Sequence, residues 1–240
     1  MLQPTTSTHI PFSFDLYSFS FQFQEYDQAV EVYEDILQAD KDRYGEGDLV
    51  CAIDYHNLGV ASVLANDLDS ALYYFQEAVI LKKACLGEND PTVSEPLVEI
   101  GIILYSRNDY RGALRIFKEA LEIYKDSSNS EGVGRTSNNI GCVYYKIGDT
   151  TSALTYLLEA LIAQRMVLGM SEKAESSLLN FALTQSNVGY LKLNAGHLDA
   201  CAMLEDSLLV LESVLGDENM TVDSVRSNIA IAKQQQEIGF

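Results

Sequence analysis

Apolar and small residues recur along this chain with a helical period, and the phrase they form is written several times. Tyr55, Leu58, Gly59 and Ser62 stand at i, i+3, i+4 and i+7, one face of an α-helix, and Ala71, Phe75 and Ala78 mark one face of a second helix. The stretch NDLDSALYYFQEAV at 66–79 returns as NDYRGALRIFKEAL at 108–121 and as GDTTSALTYLLEAL at 148–161. Ahead of each lies a short signature that also occurs twice more: Asn57-Leu58-Gly59, Glu99-Ile100-Gly101, Asn139-Ile140-Gly141, Asn187-Val188-Gly189 and Asn228-Ile229-Ala230. The intervals between them are 42, 40, 48 and 41 residues, a near-constant period that marks a solenoid made by stacking one supersecondary unit.

Small residues predict where the two helices of a unit touch. Gly59 and Ala71 leave room for axes about 8–10 Å apart, and Phe75 fills the space beside them. The pattern predicts a tight turn between the helices, with Asn66, Asn108, Gly148 or Gly196 in the left-handed conformation that ends a helix. Between units, LGENDP at 86–91 places Gly87 after one helix, Asp90 as N-cap of the next and Pro91 at its first position, and YGEGD at 44–48 and LGDEN at 215–219 are related words. Gly169 to Asn187 spans 18 residues where Gly87 to Glu99 spans 12, so six residues are inserted, expected as a longer helix start in SEKAESSLLNFALTQ.

These landmarks set the expected organisation. Residues 25–44, opening on EYDQAVEVYEDIL, read as half a repeat, followed by repeats at about 48–87, 90–127, 130–169 and 171–216 and a capping helix at 220–236 with a polar tail. Residues 1–24 are expected to be irregular or disordered. FSFDLYSFSFQFQ at 12–24 falls where a first helix belongs but alternates with period two, a strand pattern; a distorted helix is the alternative.

The residues Leu58-Gly59, Ala71, Phe75, Ala78, and again Ile100-Gly101, Ala113, Phe117, Ala120, resemble the signature of the tetratricopeptide repeat. A third unit has Ile140-Gly141, Tyr144, Ala153, Leu157 and Ala160, and a fourth is degenerate, with Gln185, Lys192 and Ser207 at signature positions and a turn one residue shorter. The long period and the LGENDP connector resemble the 42-residue repeats of kinesin light chain and nephrocystin-like proteins, over roughly residues 25–236. The resemblance implies an all-α fold, a right-handed superhelical solenoid of antiparallel helix pairs, with a concave surface lined mainly by the first helices.

In that family the inward positions lie six and three residues before the repeat glycine and one and four after it. Here they read Ile53, His56, Val60, Val63; Glu95, Val98, Ile102, Tyr105; Arg135, Asn138, Cys142, Tyr145; and Leu183, Ser186, Tyr190, Leu193. The resemblance makes His56, Val60, Val63, Tyr105, Arg135, Asn138, Cys142, Tyr145, Ser186 and Tyr190 the candidates for a peptide groove. Val98 and Ile102 are equally well explained by packing against neighbouring repeats. Asn138-Asn139 resembles the Asn pair of kinesin light chain repeats, whose first Asn can hydrogen-bond a bound peptide backbone; the match is partial, since other units have His56, Val98 or Ser186 there. The Lys-x-x-x-Asn clamp of chaperone-tail-binding repeats is absent from every unit.

Composition and charge narrow the function. A net charge of −19 on 240 residues argues against nucleic acid, which demands clustered Lys and Arg, and favours a protein or peptide ligand of basic character. The acidity is uneven: residues 25–48 hold nine carboxylates against Lys41 and Arg43, and no Lys or Arg lies between Lys192 and Arg226. Arg111, Arg115 and Lys118 share one helix face, read as a solvated face paired with Glu119 and Glu122. No apolar run approaches the ~20 residues of a membrane span, and no Lys or Arg precedes Lys41, so a cytoplasmic protein without membrane insertion is expected. Cys51, Cys85, Cys142 and Cys201 stand far apart, His9, His56 and His197 have no metal-ligand spacing, and phosphate-binding glycine loops are missing. No cofactor, metal or catalysis is therefore expected. The chain reads as a non-catalytic interaction scaffold whose family resemblance allows a place in a cytoskeletal motor complex. A regulatory repeat sensor, or an accessory region of a larger enzyme, is the alternative.

Overall fold

The computed structural model describes residues 23–170 and 175–238, and these form ten α-helices and no strand. They are α1 (Phe23–Tyr44), α2 (Leu49–Leu64), α3 (Leu68–Leu86), α4 (Ser94–Ser106), α5 (Tyr110–Asp126), α6 (Ser130–Lys146), α7 (Thr150–Met170), α8 (Glu175–Asn194), α9 (Ala200–Leu215) and α10 (Met220–Ile238), with a single 3-10 turn at Pro91–Val93 ahead of α4. The pairs α2/α3, α4/α5, α6/α7 and α8/α9 stack in order, with α1 before them and α10 after. The alternating stretch at 12–24 lies outside the described residues except for its last two, which open α1.

Local chemistry sets the helix ends. Asp48, Asp67, Asp109, Asn129, Asp149 and Asn219 each accept a hydrogen bond from a backbone N–H of the first turn that follows, at 2.9–3.1 Å. Within each pair the turn residue has the positive φ expected of it: 60° at Asn66, 61° at Asn108, 85° at Gly148 and 75° at Gly196. The residue after it donates back across the last helical turn, as Asp67 N–H does to Ser62 O at 2.9 Å and Asp109 N–H to Leu104 O at 2.9 Å. The link from α5 to α6 uses this same closure, with Ser128 at φ 56° and Asn129 N–H to Tyr124 O at 2.9 Å, in place of the glycine-bearing connectors after α1, α3 and α9.

Packing follows the small residues. A Cβ added at Gly59 would lie 2.6 Å from the Phe75 ring, at Gly101 2.5 Å from the Phe117 ring, at Gly141 2.7 Å from Leu157 Cγ and at Gly189 2.9 Å from Leu204 Cγ. Phe75, Phe117, Leu157 and Leu204 are accordingly wholly buried, one in each complete pair. Gly169 differs from Gly87: it sits inside α7, which continues to Met170, and the inserted length also goes into α8, whose start lies 12 residues ahead of Asn187 where α2 starts 8 ahead of Asn57.

The second helices lie side by side, linked by Tyr74 Oη donating to Glu34 at 2.7 Å, Lys83 to Glu119 at 2.8 Å and Lys125 to Glu159 at 2.6 Å. This corrects the expected pairing within α5. Glu119 is taken by Lys83, and Lys118 turns to the Tyr144 hydroxyl at 2.9 Å, its ammonium 5.4 Å from the Tyr144 ring centroid and 6.0 Å from that of Tyr156. Arg111 and Arg115 remain exposed.

Candidate functional site

The first helices α2, α4, α6 and α8 carry all ten candidate residues, one helix per repeat. Where neighbouring repeats meet, the residue four after one repeat glycine approaches the residue one after the next. Tyr145 and Tyr190 bring their hydroxyls to 3.3 Å and their rings to 5.9 Å, nearly perpendicular. In the preceding junction Tyr105 neighbours Cys142, and the Tyr105 ring also lies 5.6 Å from Tyr110. Burial pushes the Tyr105 and Tyr145 phenols well above their ordinary value.

That geometry sorts the candidates. Val60, Val63, Tyr105, Arg135, Asn138, Tyr145 and Tyr190 are half-buried, as residues on the wall of a groove must be. Cys142 requires a correction: it is 0% exposed within the hydrophobic core, and burial pushes its thiol up. Ser186 is also buried and donates to Leu183 O at 2.8 Å, a bond within its own helix. Of the neighbouring inward positions, Val98 is wholly buried and Ile102 half-buried against the core, while Ile53 and Glu95 are exposed.

His56 and Asn138 are held by different means. The His56 ring lies 5.5 Å from Phe75, and burial first, then the Lys82 ammonium, keeps it below the ordinary imidazole range, with Glu95 pulling the other way. Asn138 Oδ1 lies 3.1 Å from Thr184 Oγ1, whose single proton it shares with Asn180 O at 2.9 Å, and accepts from Asn187 Nδ2 at 3.5 Å, linking α6 to α8. Its Nδ2 donor is not used in these bonds.

Residues that the first-helix stripe does not include complete the floor. Lys82, Tyr124 and Gln164 each stand eleven residues after the repeat alanine of their second helix, Ala71, Ala113 and Ala153, and all three are buried. Lys82 Nζ donates to Thr92 O at 2.9 Å, and burial lowers its pKa. Tyr124 is raised by burial, with Arg135 opposing. Gln164 and Arg135 both line two small clefts of about 20 and 10 Å³, together with Glu131, Ser177 and Asn180 in one or both and Asn138, Asn139 and Thr184 in the smaller. Asn139 Nδ2 and Gln164 Oε1 are buried there without a hydrogen-bond partner. A polar residue returning at one buried register position was the available signal for this row. A larger cleft, about 420 Å³, lies at the far end between the α8–α9 turn and α10, lined by Leu193, His197, Leu198, Cys201, Ala232 and Gln236 among others.

Among the described residues no group of His, Cys, Asp and Glu could hold a metal ion, and no helix is long and apolar enough to cross a membrane. The arrangement offers apolar walls, carboxamide groups and mixed charge.

Comparison with known proteins points the same way. The family model of the tetratricopeptide repeat matches residues 67–126 and 92–165. The protein KINESIN LIGHT CHAIN-RELATED 3 of Arabidopsis thaliana is 24% identical over 212 residues, which are 87% of this chain and 32% of that protein, so the chain spans about a third of the relative's length. Among solved structures, BtubC (BKLC) from P. vanneervenii superposes with a TM-score of 0.69 at 18% identity, covering 81% of this chain and 76% of that one. A putative kinesin light chain from Podosopora anserina with nearly identical repeats gives 0.61 at 14% identity, covering 79% and 89%. The apo form of the quorum sensor NprR from B. thuringiensis gives 0.60 at 16% identity, covering 90% and 57%.

Proposed function

Since the chain is a tetratricopeptide-repeat protein of the kinesin-light-chain style, and such repeats form protein-interaction scaffolds, we propose that it binds an extended partner segment in the groove lined by α2, α4, α6 and α8. The observation that carries this reading is Asn138. Its oxygen faces the Thr184 hydroxyl and the Asn187 carboxamide of α8, an orientation that leaves the Nδ2 donor for a backbone carbonyl of the ligand. Tyr105 on one side, and Tyr145 with Tyr190 on the other, supply apolar walls with hydroxyl edges. The net charge of −19 favours a ligand carrying Lys or Arg. By analogy with the kinesin light chain relatives, the partner is a cargo or component of a cytoskeletal motor complex in the cytoplasm, and the chain works without catalysis. A regulatory sensor is the second reading, favoured by the likeness to a chain described as a quorum sensor.

Selection of a random peptide library on the immobilised chain tests the groove. Asn138→Asp keeps the acceptor that Thr184 and Asn187 use and removes the donor. It is expected to weaken the selected peptides by roughly 1–3 kcal/mol, and Tyr145→Ala is expected to weaken them too, while Arg111→Ala with Arg115→Ala leaves them unchanged. Peptides that ignore Asn138 and Tyr145 but are lost with Arg111 and Arg115 would place recognition on the outer face instead.

A further inference from the structure

The first junction of the groove departs from the later ones at two positions, and both departures meet at one place. Four residues after the repeat glycine stand Val63, Tyr105, Tyr145 and Leu193. Where that residue is tyrosine it is half-buried toward the next first helix: Tyr145 reaches Tyr190, and Tyr105 neighbours Cys142. Val63 lacks the ring, and a cleft of about 40 Å³ stays open between α2 and α4, lined by Val60, Val63, Leu64, Phe75 and Glu99, with the wholly buried Phe75 as its floor. Two residues before the repeat glycine stand Asn57, Glu99, Asn139 and Asn187, with Asn228 at the same place in α10. Asn139, Asn187 and Asn228 are buried, whereas Glu99 is half-buried. A carboxylate costs more to bury than a carboxamide, so this unit sets a charge at the rim of its cleft where the others set a neutral amide.

We propose that the cleft is the subsite for one lysine side chain of the bound segment, with the methylenes of the lysine on Val60, Val63, Leu64 and Phe75 and its ammonium at Glu99. The proposal rests on the groove reading above and names one residue of the ligand. Shape and charge argue for lysine together. Four of the five lining residues present hydrocarbon, which suits an unbranched stem, and the fifth presents a carboxylate, which suits a compact cation. A guanidinium carries five donors in one plane, more than a single polar lining residue meets, whereas an ammonium gives one to Glu99 and keeps the others in water. An apolar side chain would fill the cleft but strip water from Glu99 with no charge of its own to offer.

The chain's own cations near this face are engaged elsewhere. The Lys82 ammonium donates to Thr92 O at 2.9 Å. Arg135 acts on the Tyr124 phenol, which burial first, and then Glu95 and Glu99, push upward. Because Glu99 is half-buried, an ion pair formed there is screened less by salt than one at the exposed acidic ends.

The test takes lysine-bearing peptides selected from the random library on the immobilised chain and remakes each with norleucine, then arginine, at every lysine in turn. One position is expected to stand out, where norleucine weakens binding about three- to ten-fold and arginine weakens it too. Glu99→Asn introduces the residue of the other units and is expected to abolish the difference between lysine and norleucine there. Val63→Tyr introduces the ring of the next two repeats and, by filling the cleft, is expected to weaken the lysine and norleucine peptides alike. Each variant borrows a residue the fold already carries at that position, and circular dichroism checks that both are folded. Asn138→Asp and Tyr145→Ala separate the subsite from the groove. Peptides weakened by these two changes overturn the subsite alone if they carry no lysine, if norleucine is tolerated at every position, or if the lysine preference survives Glu99→Asn or falls only with Glu95→Gln. Arginine bound as tightly as lysine overturns the assignment to lysine. Peptides indifferent to Asn138→Asp and Tyr145→Ala, or a library that yields no binder, overturn the groove and the subsite with it.

Discussion

A glycine is the residue whose role in this fold depends most on its surroundings, and two of them predict opposite outcomes. A Cβ at Gly141 meets Leu157 at 2.7 Å and the Ala153 carbonyl at 3.2 Å, and the backbone carbonyl cannot move aside. Gly141→Leu should cost on the order of 1–3 kcal/mol or more. Gly169 lies in α7 with nothing within 4 Å of an added Cβ, so Gly169→Ala should gain about 0.5–1 kcal/mol through the stiffer unfolded chain and better helix propensity. Urea unfolding midpoints of the two variants measure both. Gly141 was legible because the spacing to Ala153 repeats. Gly169 was not, since the Leu-Gly pair reads as a connector and nothing local tells the helix to continue. His56 adds a pH signature. Its folded pKa lies below the unfolded value of about 6.5, so the neutral ring's contribution is complete above that value and is lost as pH falls. The unmodified chain should therefore lose stability relative to His56→Gln as pH falls below about 6.5 toward the lower folded value, read from unfolding midpoints at each pH.

At the scale of elements, turn chemistry was readable wherever the sequence offered Asn or Gly. Asn66, Asn108, Gly148 and Gly196 take positive φ because the paired helices must reverse within a few residues. Ser128 takes φ 56° with no such signal, since the strain of a side chain there is outweighed by the closure from α5 to α6. Ser128→Gly should consequently stabilise the chain by about 0.5–1 kcal/mol, visible as a raised unfolding midpoint. Helix pairing, the core residues Phe75 and Phe117 and the order of elements were legible because each rests on local period. The groove was less so. Period alone places Cys142 and Tyr190 equally on the inward stripe, but the small Cys142 is wholly within the core and the larger Tyr190 half-buried, a matter of side-chain size and neighbouring repeats that one helix does not encode. Lys82, Tyr124 and Gln164 escaped because they come from the second helices, whose pattern is dominated by packing.

The molecule as a whole is a strongly negative body whose charge is concentrated toward its ends, and this bears on how a ligand arrives rather than on how firmly it is held. Carboxylates such as Asp27, Glu31 and Asp35 on α1 and Glu205, Asp206 and Asp217 toward the C-terminal end are exposed, so their field extends into solvent and is cut off over about 8 Å at physiological salt. Arg135 and the buried Lys82 keep the groove itself mixed in sign. A ligand bearing Lys or Arg should therefore be steered by the ends and held by the walls. For a library-selected basic peptide, stopped-flow measurements are expected to show an association rate falling several-fold between about 0.05 M and about 0.5 M salt while the dissociation rate changes little. Asp27→Asn with Asp35→Asn should lower the association rate at low salt and leave it unchanged at high salt, whereas Tyr145→Ala should raise the dissociation rate at both. A dissociation rate that carries the whole salt effect would mean instead that the charges act by direct contact with the bound segment, and that the basic residues of the ligand lie in the groove beside Glu95 and Glu131 rather than passing the acidic ends on the way in.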